Sequence, residues 1–189
     1  GVRPQVLAGH SFGEYTALVC AGSLDYRDAV ALVAERGRLM QLAVAEGTGS
    51  MAAILGLEEK LLRKAIDNNA QIGSCDCANF NAGGQIVISG EKAAVLAVCD
   101  EAKVLGAKRA IVLPVSVPAH SRLMIKAAEQ FSETLSKVDI IAPKIPLIHN
   151  VDVGFHEKPE DIKTVLKKQL YSPVRWTETG EKLAQLGCE

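Results

Sequence analysis

Along the chain, short apolar runs alternate with longer stretches in which apolar residues return every three or four positions, the signatures of strands and of amphipathic helices. Val6-Leu7-Ala8 is the first run and predicts a short strand. Gly9-His10-Ser11-Phe12-Gly13 follows, and an apolar, helix-prone segment runs from Tyr15 to Cys20. Ala21-Gly22-Ser23 breaks the pattern, and Ser23 or Asp25 can cap the next helix, from about Tyr26 to about Ala45. In that helix Ala29, Leu32, Val33 and Met40 form one stripe, and Arg36 lies on it between Val33 and Met40. Gly47-Thr48-Gly49-Ser50 ends the segment.

The next seventy or so residues read as a unit of their own. Met51 to Leu57 is a strand. Glu58 to Asn69 is a helix with Leu61, Leu62, Ala65 and Ile66 on one side. Ser74 to Asn81 and Gln85 to Ser89 are strands joined by Ala82-Gly83-Gly84, a hairpin-type connection. Glu91 to Leu105 is a helix stopped at Gly106, and Ala110 to Val117 a final strand. The order β-α-β-β-α-β is the ferredoxin-like, split-βαβ pattern. Beyond Pro118 the spacing is helical over Ser121 to Val138, with Leu123, Ala127, Phe131 and Leu135 near one face. A strand follows at Ile145 to His149, then helices over Pro159 to Leu170 and Thr177 to Leu186. The fold class is therefore α/β: an α/β-hydrolase-like subdomain with a parallel sheet (1–46 and 117–189) and an inserted ferredoxin-like subdomain (47–116). An elbow strand is normally central in its sheet, yet few residues precede Val6. The sequence is accordingly expected to be part of a longer protein, or to complete its sheet with partners.

Composition narrows the class. Of 189 residues 48% are hydrophobic and only 4% aromatic, so Ala, Val, Leu and Ile build the core, as in buried parallel sheets. A net charge of −1 argues for neither a nucleic-acid surface nor a polybasic membrane contact. No uncharged apolar run approaches the roughly 20 residues that span a bilayer, and no signal peptide is visible. The five cysteines are irregularly spaced, which favours reduced, cytoplasmic thiols over disulfides or a zinc site. No metal or cofactor site is expected.

The sharpest chemistry is G-x-S-x-G between a strand and a helix, the context of a nucleophile elbow. The turn lifts the Ser11 hydroxyl above the sheet edge, and the helix N-terminus aims free N–H groups and a positive dipole end at it. A serine needs a base. His10 adjoins Ser11 but should point the opposite way. His149 ends a strand and His156 sits in a polar loop, both fitting structural or solvated roles. His120 ends a strand at a proline-bounded turn, which suits a base, although a helix-capping role is also open. No acid stands out to orient the imidazole. Glu14 is better placed to brace the turn, so the third group is a neutral amide or carbonyl, or lies outside the chain. Arg36 in an apolar stripe demands an anion. An internal acid, snorkelling to solvent and a gripped substrate carboxylate all remain open.

With Ser11, Arg36 and His120 in place, the chain resembles the malonyl-CoA:acyl carrier protein transacylases of fatty acid synthesis. The resemblance is carried by GHSFGEYTALVCAGSL, AERGRLM, EGTGSMAAILGL, NFNAGGQIVISG, KRAIVLPVSVPAHS, IHNVDV and QLYSPVRWTET, in order over nearly the whole chain. The V-P-A-H at His120 is similar to the stand-alone bacterial type. The resemblance implies that Ser11 is malonylated, that His120 is the base, and that Arg36 pairs with the malonyl carboxylate. It also implies that the Phe12 N–H is an oxyanion donor and that Asn81, with Asn79, lies near the acyl site. The implied partners are malonyl-CoA and acyl carrier protein, with no nucleic acid and no membrane. A serine thioesterase or esterase, or a non-catalytic module docking acyl carrier protein, are the alternatives. Two glutamines of the family, one completing the oxyanion hole and one orienting the histidine, are expected outside residues 1–189.

Overall fold

A computed structural model describes residues 4–188; the outermost positions of the expected units, 1–3 and 189, lie outside the described residues. The elements are β1 (Leu7–Ala8), α1 (Gly13–Cys20), α2 (Tyr26–Leu42), β2 (Gly49–Leu55), α3 (Glu59–Asn68), β3 (Cys75–Ala82) and β4 (Gln85–Glu91). They continue with α4 (Lys92–Val104), β5 (Arg109–Val112), a 3₁₀ turn (Arg122–Met124), α5 (Ile125–Ser136), β6 (Leu147–Ile148), α6 (Pro159–Gln169) and α7 (Trp176–Gln185). The architecture is α/β, with one parallel and one antiparallel sheet.

β1 and β6 pair in parallel, Leu7 opposite Leu147 and Ala8 opposite Ile148. This pair anchors the elbow, because the chain leaves β1 directly into Gly9-His10-Ser11. α2 starts where Asp25 caps it, Oδ1 accepting the Arg27 N–H at 2.8 Å. α6 opens on Pro159, whose missing N–H costs nothing in a first turn. The apolar faces of α1, α2, α5 and α6 meet in one core with Leu18, Leu32, Met124, Phe131, Ile162 and Leu166. Each such buried Leu or Phe contributes about 1.5–3 kcal/mol of transfer free energy.

The antiparallel sheet runs β3-β4-β2-β5, and α3 and α4 cover one face through a second core of Ile54, Leu62, Ile88, Val95 and Val98. The hairpin turns on Gly83-Gly84, Gly84 taking φ +75°, a left-handed conformation that glycine adopts without strain. Met51, Ala78 and Val87 on the opposite face pack against Leu113 and Ala119. That second contact explains why β2 is apolar on both sides rather than alternating.

Several boundaries differ from the sequence reading for identifiable reasons. The strand expected to reach Val117 ends at Val112. Leu113 N–H still reaches the Met51 carbonyl at 2.8 Å, but Pro114 has no N–H and Val115 N–H turns back to Leu113 at 2.8 Å. The helix expected from Ser121 begins as the 3₁₀ turn and becomes α-helical at Ile125. The strand expected over Ile145 to His149 is only Leu147–Ile148, bounded by Pro146 and by the turn after His149. β2 starts at Gly49, inside the expected loop, where Gly49 pairs with Glu91.

Candidate active site

The elbow is built by a close approach. A Cβ on Gly9 would lie 2.0 Å from the Gly13 carbonyl oxygen, so only glycine fits where strand and helix cross. Ser11 takes φ +50°, an uncommon conformation for a residue with a side chain. It places Ser11 at the N-terminal end of α1, where the Phe12 N–H takes no internal partner among the described residues. The Phe12 side chain itself is exposed.

Ser11 Oγ lies 2.8 Å from His120 Nε2, across 109 residues. His120 Nδ1 lies 2.7 Å from the Gln169 backbone carbonyl. A carbonyl can only accept, so Nδ1 carries the proton and Nε2 is the lone-pair nitrogen facing the serine. Burial, then the nearby Arg36 charge, push the His120 pKa down to about 3, against a smaller opposing effect of the Gln169 carbonyl. The imidazole is therefore neutral at physiological pH and able to accept a proton. His120 too has a positive φ, +58°, and its N–H is held by the Leu170 carbonyl at 2.9 Å.

Arg36 is 8% exposed. Its Nη2 donates to Ser11 Oγ at 3.2 Å and to Gln169 Oε1 at 3.2 Å, and its guanidinium lies 5.9 Å from the centre of the Tyr15 ring. It forms no ion pair among the described residues, and its Nε is buried without a partner. Of the alternatives read from sequence, neither an ion pair with an internal acid nor a side chain snorkelled to solvent is found among the described residues. Burial raises the Tyr15 phenol pKa well above its ordinary value, so Tyr15 stays neutral beside it.

Beneath the serine, fully buried Glu14 accepts from His149 Nδ1 at 2.6 Å, from the Asn150 N–H at 3.2 Å and from Gln169 Nε2 at 2.7 Å. Gln169 Nε2 also donates to the Ser11 carbonyl at 3.1 Å. Glu14 thus braces the turn, as its place in the motif suggests. His149 is part of that brace, and His156 hydrogen-bonds Asp152 at 2.8 Å. His10 Nε2 lies 2.8 Å from Asn81 Oδ1, and the His10 ring packs edge-on to Trp176.

The structure brings Ser11, His120 and Arg36 to one point. One expectation is corrected: the group that orients the histidine is not outside the chain but is the carbonyl of Gln169, at the C-terminal end of α6. Gln169 and Asn150 were missed from sequence. A carbonyl carries no residue identity, and an amide at a helix end or in a turn has no periodic signature. The only available hints were their places in the QLYSPVRWTET and IHNVDV stretches.

A serine on a strand–helix elbow, beside a neutral histidine whose other ring nitrogen meets a backbone carbonyl, is the arrangement that a serine–histidine acyl-enzyme mechanism requires. The chain belongs to the acyl transferase domain family, whose profile matches residues 1–188. It is 52% identical over 189 residues to a malonyl CoA-acyl carrier protein transacylase of Haemophilus influenzae, covering 98% of this chain and 60% of that protein. It superposes with a TM-score of 0.98 and 47% identity on the malonyl CoA-acyl carrier protein transacylase of Coxiella burnetii, covering 100% of this chain and 60% of that one. A malonyl-transacylase solved in complex with a type II PKS acyl-carrier protein matches equally well, with a TM-score of 0.98 and 47% identity over 100% of this chain and 61% of that one. The chain thus spans about 60% of the length of these relatives.

Proposed function

We propose that the chain carries the catalytic core of a malonyl-CoA:acyl carrier protein transacylase of fatty acid synthesis. The observation that carries this reading is Arg36: a guanidinium buried 3.2 Å from the candidate nucleophile that forms no ion pair among the described residues. A malonyl thioester brings its own carboxylate to that position, where a planar guanidinium can grip it bidentately. An acetyl group would leave the charge unpaired.

In this reading neutral His120 Nε2 removes the Ser11 hydroxyl proton while Oγ attacks the thioester carbonyl of malonyl-CoA. The Phe12 N–H at the start of α1 receives the developing oxyanion. The C–S bond breaks, His120 returns the proton to the departing CoA sulfur, and malonyl-Ser11 remains. The phosphopantetheine thiol of acyl carrier protein then gives its proton to His120 and attacks the ester carbonyl; the ester C–O bond breaks, His120 returns the proton to Ser11 Oγ, and the malonyl group leaves on the carrier thiol. Asn81, whose carboxamide nitrogen bonds nothing among the described residues, is a polar contact near the acyl group. Ser, His, Arg and backbone donors supply every step as written, without metal or cofactor. Two units frame the cleft: an α/β-hydrolase-like unit (1–46 and 117–189) and a ferredoxin-like unit (47–116). Their separate cores and the β3-β4-β2-β5 strand order support that division. Free thiols among the described residues fit a cytoplasmic setting, and none of their helices is long and apolar enough to cross a membrane.

The test is transfer from radioactive malonyl-CoA to acyl carrier protein by the whole protein and by Ser11→Ala. Label should appear on the carrier thiol with the native serine and vanish with alanine. Free malonate released without any carrier would mark a thioesterase instead.

A further inference from the structure

We propose that Asn150 is a positioning residue of this reaction: its side-chain amide holds the nucleophile's backbone in the left-handed conformation that the elbow requires. The inference rests on the reading of Ser11 as nucleophile. Asn150 is fully buried in the turn after β6, 139 residues from Ser11. Its Oδ1 accepts the Ser11 N–H at 2.6 Å, and its Nδ2 donates to the Gly9 carbonyl at 2.8 Å. One planar amide therefore ties both sides of His10 at the tip of the elbow.

The bend at Ser11, φ +50°, takes its N–H out of any helix or strand ladder, and Asn150 Oδ1 is its hydrogen-bond acceptor. The Ser11 carbonyl, in turn, accepts from the Glu14 N–H at 3.0 Å and from Gln169 Nε2 at 3.1 Å. Both peptide planes flanking the nucleophile are thus pinned. The second plane contains the Phe12 N–H, which a planar trans peptide directs opposite to the Ser11 carbonyl. Asn150 is itself fixed: its N–H donates to Glu14 Oε2 at 3.2 Å and its carbonyl accepts from the Arg175 N–H at 3.1 Å. The turn that delivers it contains Val153 at φ +56°, an outlier for a β-branched residue. Such strain persists only where the surroundings over-determine it, and here it closes the His149–Val153 turn at 3.1 Å. Asparagine alone supplies one acceptor and one donor at this reach. Aspartate lacks the donor, and alanine lacks both.

The experiment compares Asn150→Ala and Asn150→Asp with wild type in the whole protein. It reads steady-state malonyl transfer, its pH profile, and the rate at which a serine-directed fluorophosphonate modifies Ser11. Asn150→Ala should lower kcat and the phosphonate rate about 100-fold, the cost of a small misplacement of reacting groups. KM for malonyl-CoA should stay within about twofold. The pH profile should not move, because His120 keeps its Gln169 carbonyl. Asn150→Asp should lose at least about tenfold, with two oxygens facing each other at Gly9. If Asn150→Ala does not fold, the near-isosteric Asp variant decides by the same criterion. A kcat within about threefold of wild type, or a raised KM with kcat intact, overturns the proposal. A wild-type protein inert to the phosphonate overturns instead the reading of Ser11, and the inference falls with it.

Discussion

Arg36→Ala isolates the specificity argument. In the proposed function the guanidinium offers a malonyl carboxylate two charge-assisted hydrogen bonds, each worth about 1.5–3 kcal/mol. Their joint loss is about 3–6 kcal/mol, and at 1.36 kcal/mol per decade the lower end is already about 100-fold in kcat/KM. Removing the charge also acts on His120. Arg36 is the second-largest influence lowering that imidazole's pKa, so its loss lets the pKa rise. The lost donor to Ser11 Oγ slows acylation as well. Both side effects fall equally on any acyl donor and cancel in a ratio. The assay is therefore kcat/KM for malonyl-CoA over kcat/KM for acetyl-CoA in the whole protein, wild type against variant. The ratio should fall by about 100-fold or more, since the acetyl donor loses no partner and no longer strands a buried cation. A ratio unchanged within about threefold refutes the carboxylate pairing and leaves Arg36 a structural residue.

Further outcomes follow from the same geometry. Because the His120 pKa lies near 3, the pH profile of kcat/KM should stay flat well below the ordinary histidine range of about 6.5; a fall centred there contradicts the buried, carbonyl-bound imidazole. The same depressed pKa sets a stability slope. The unfolded histidine binds a proton that the folded one refuses, so its contribution is complete above about 6.5 and is lost as pH falls towards 3, at up to about 1.4 kcal/mol per pH unit. Urea unfolding at pH 7 and pH 5 should show that loss in wild type and less of it in His120→Asn; equal slopes contradict it. Gly9→Ala should abolish folding or sharply lower Tm, since its Cβ would meet the Gly13 carbonyl at 2.0 Å, whereas a Cβ on Gly13 meets nothing within 4 Å and Gly13→Ala should leave Tm near wild type.

What the sequence disclosed follows from how far each signal reaches. The elbow was legible because its constraint is local: Gly9, Ser11 and Gly13 shape one turn. Arg36 stood out because a charge interrupts an apolar stripe, and His120 because a strand stops before Pro118. The antiparallel sheet was legible from short apolar runs and from the Gly83-Gly84 hairpin. The rest of the polar frame was not. Glu14, which the motif marks as a brace, meets Asn150 and Gln169 across 136 and 155 residues, and neither amide interrupts a periodic pattern. The group orienting His120 is a backbone carbonyl, which every residue possesses. The shortened β5 turned on Pro114, whose effect on strand pairing outweighed the apolar run around it.

The most direct test is intact-mass and peptide mapping of the whole protein after brief exposure to malonyl-CoA without acceptor thiol. One malonyl group per protein, mapped to the peptide containing Ser11 and absent in Ser11→Ala, is the predicted result. A malonyl group on any other residue, or none on a folded protein, contradicts the account.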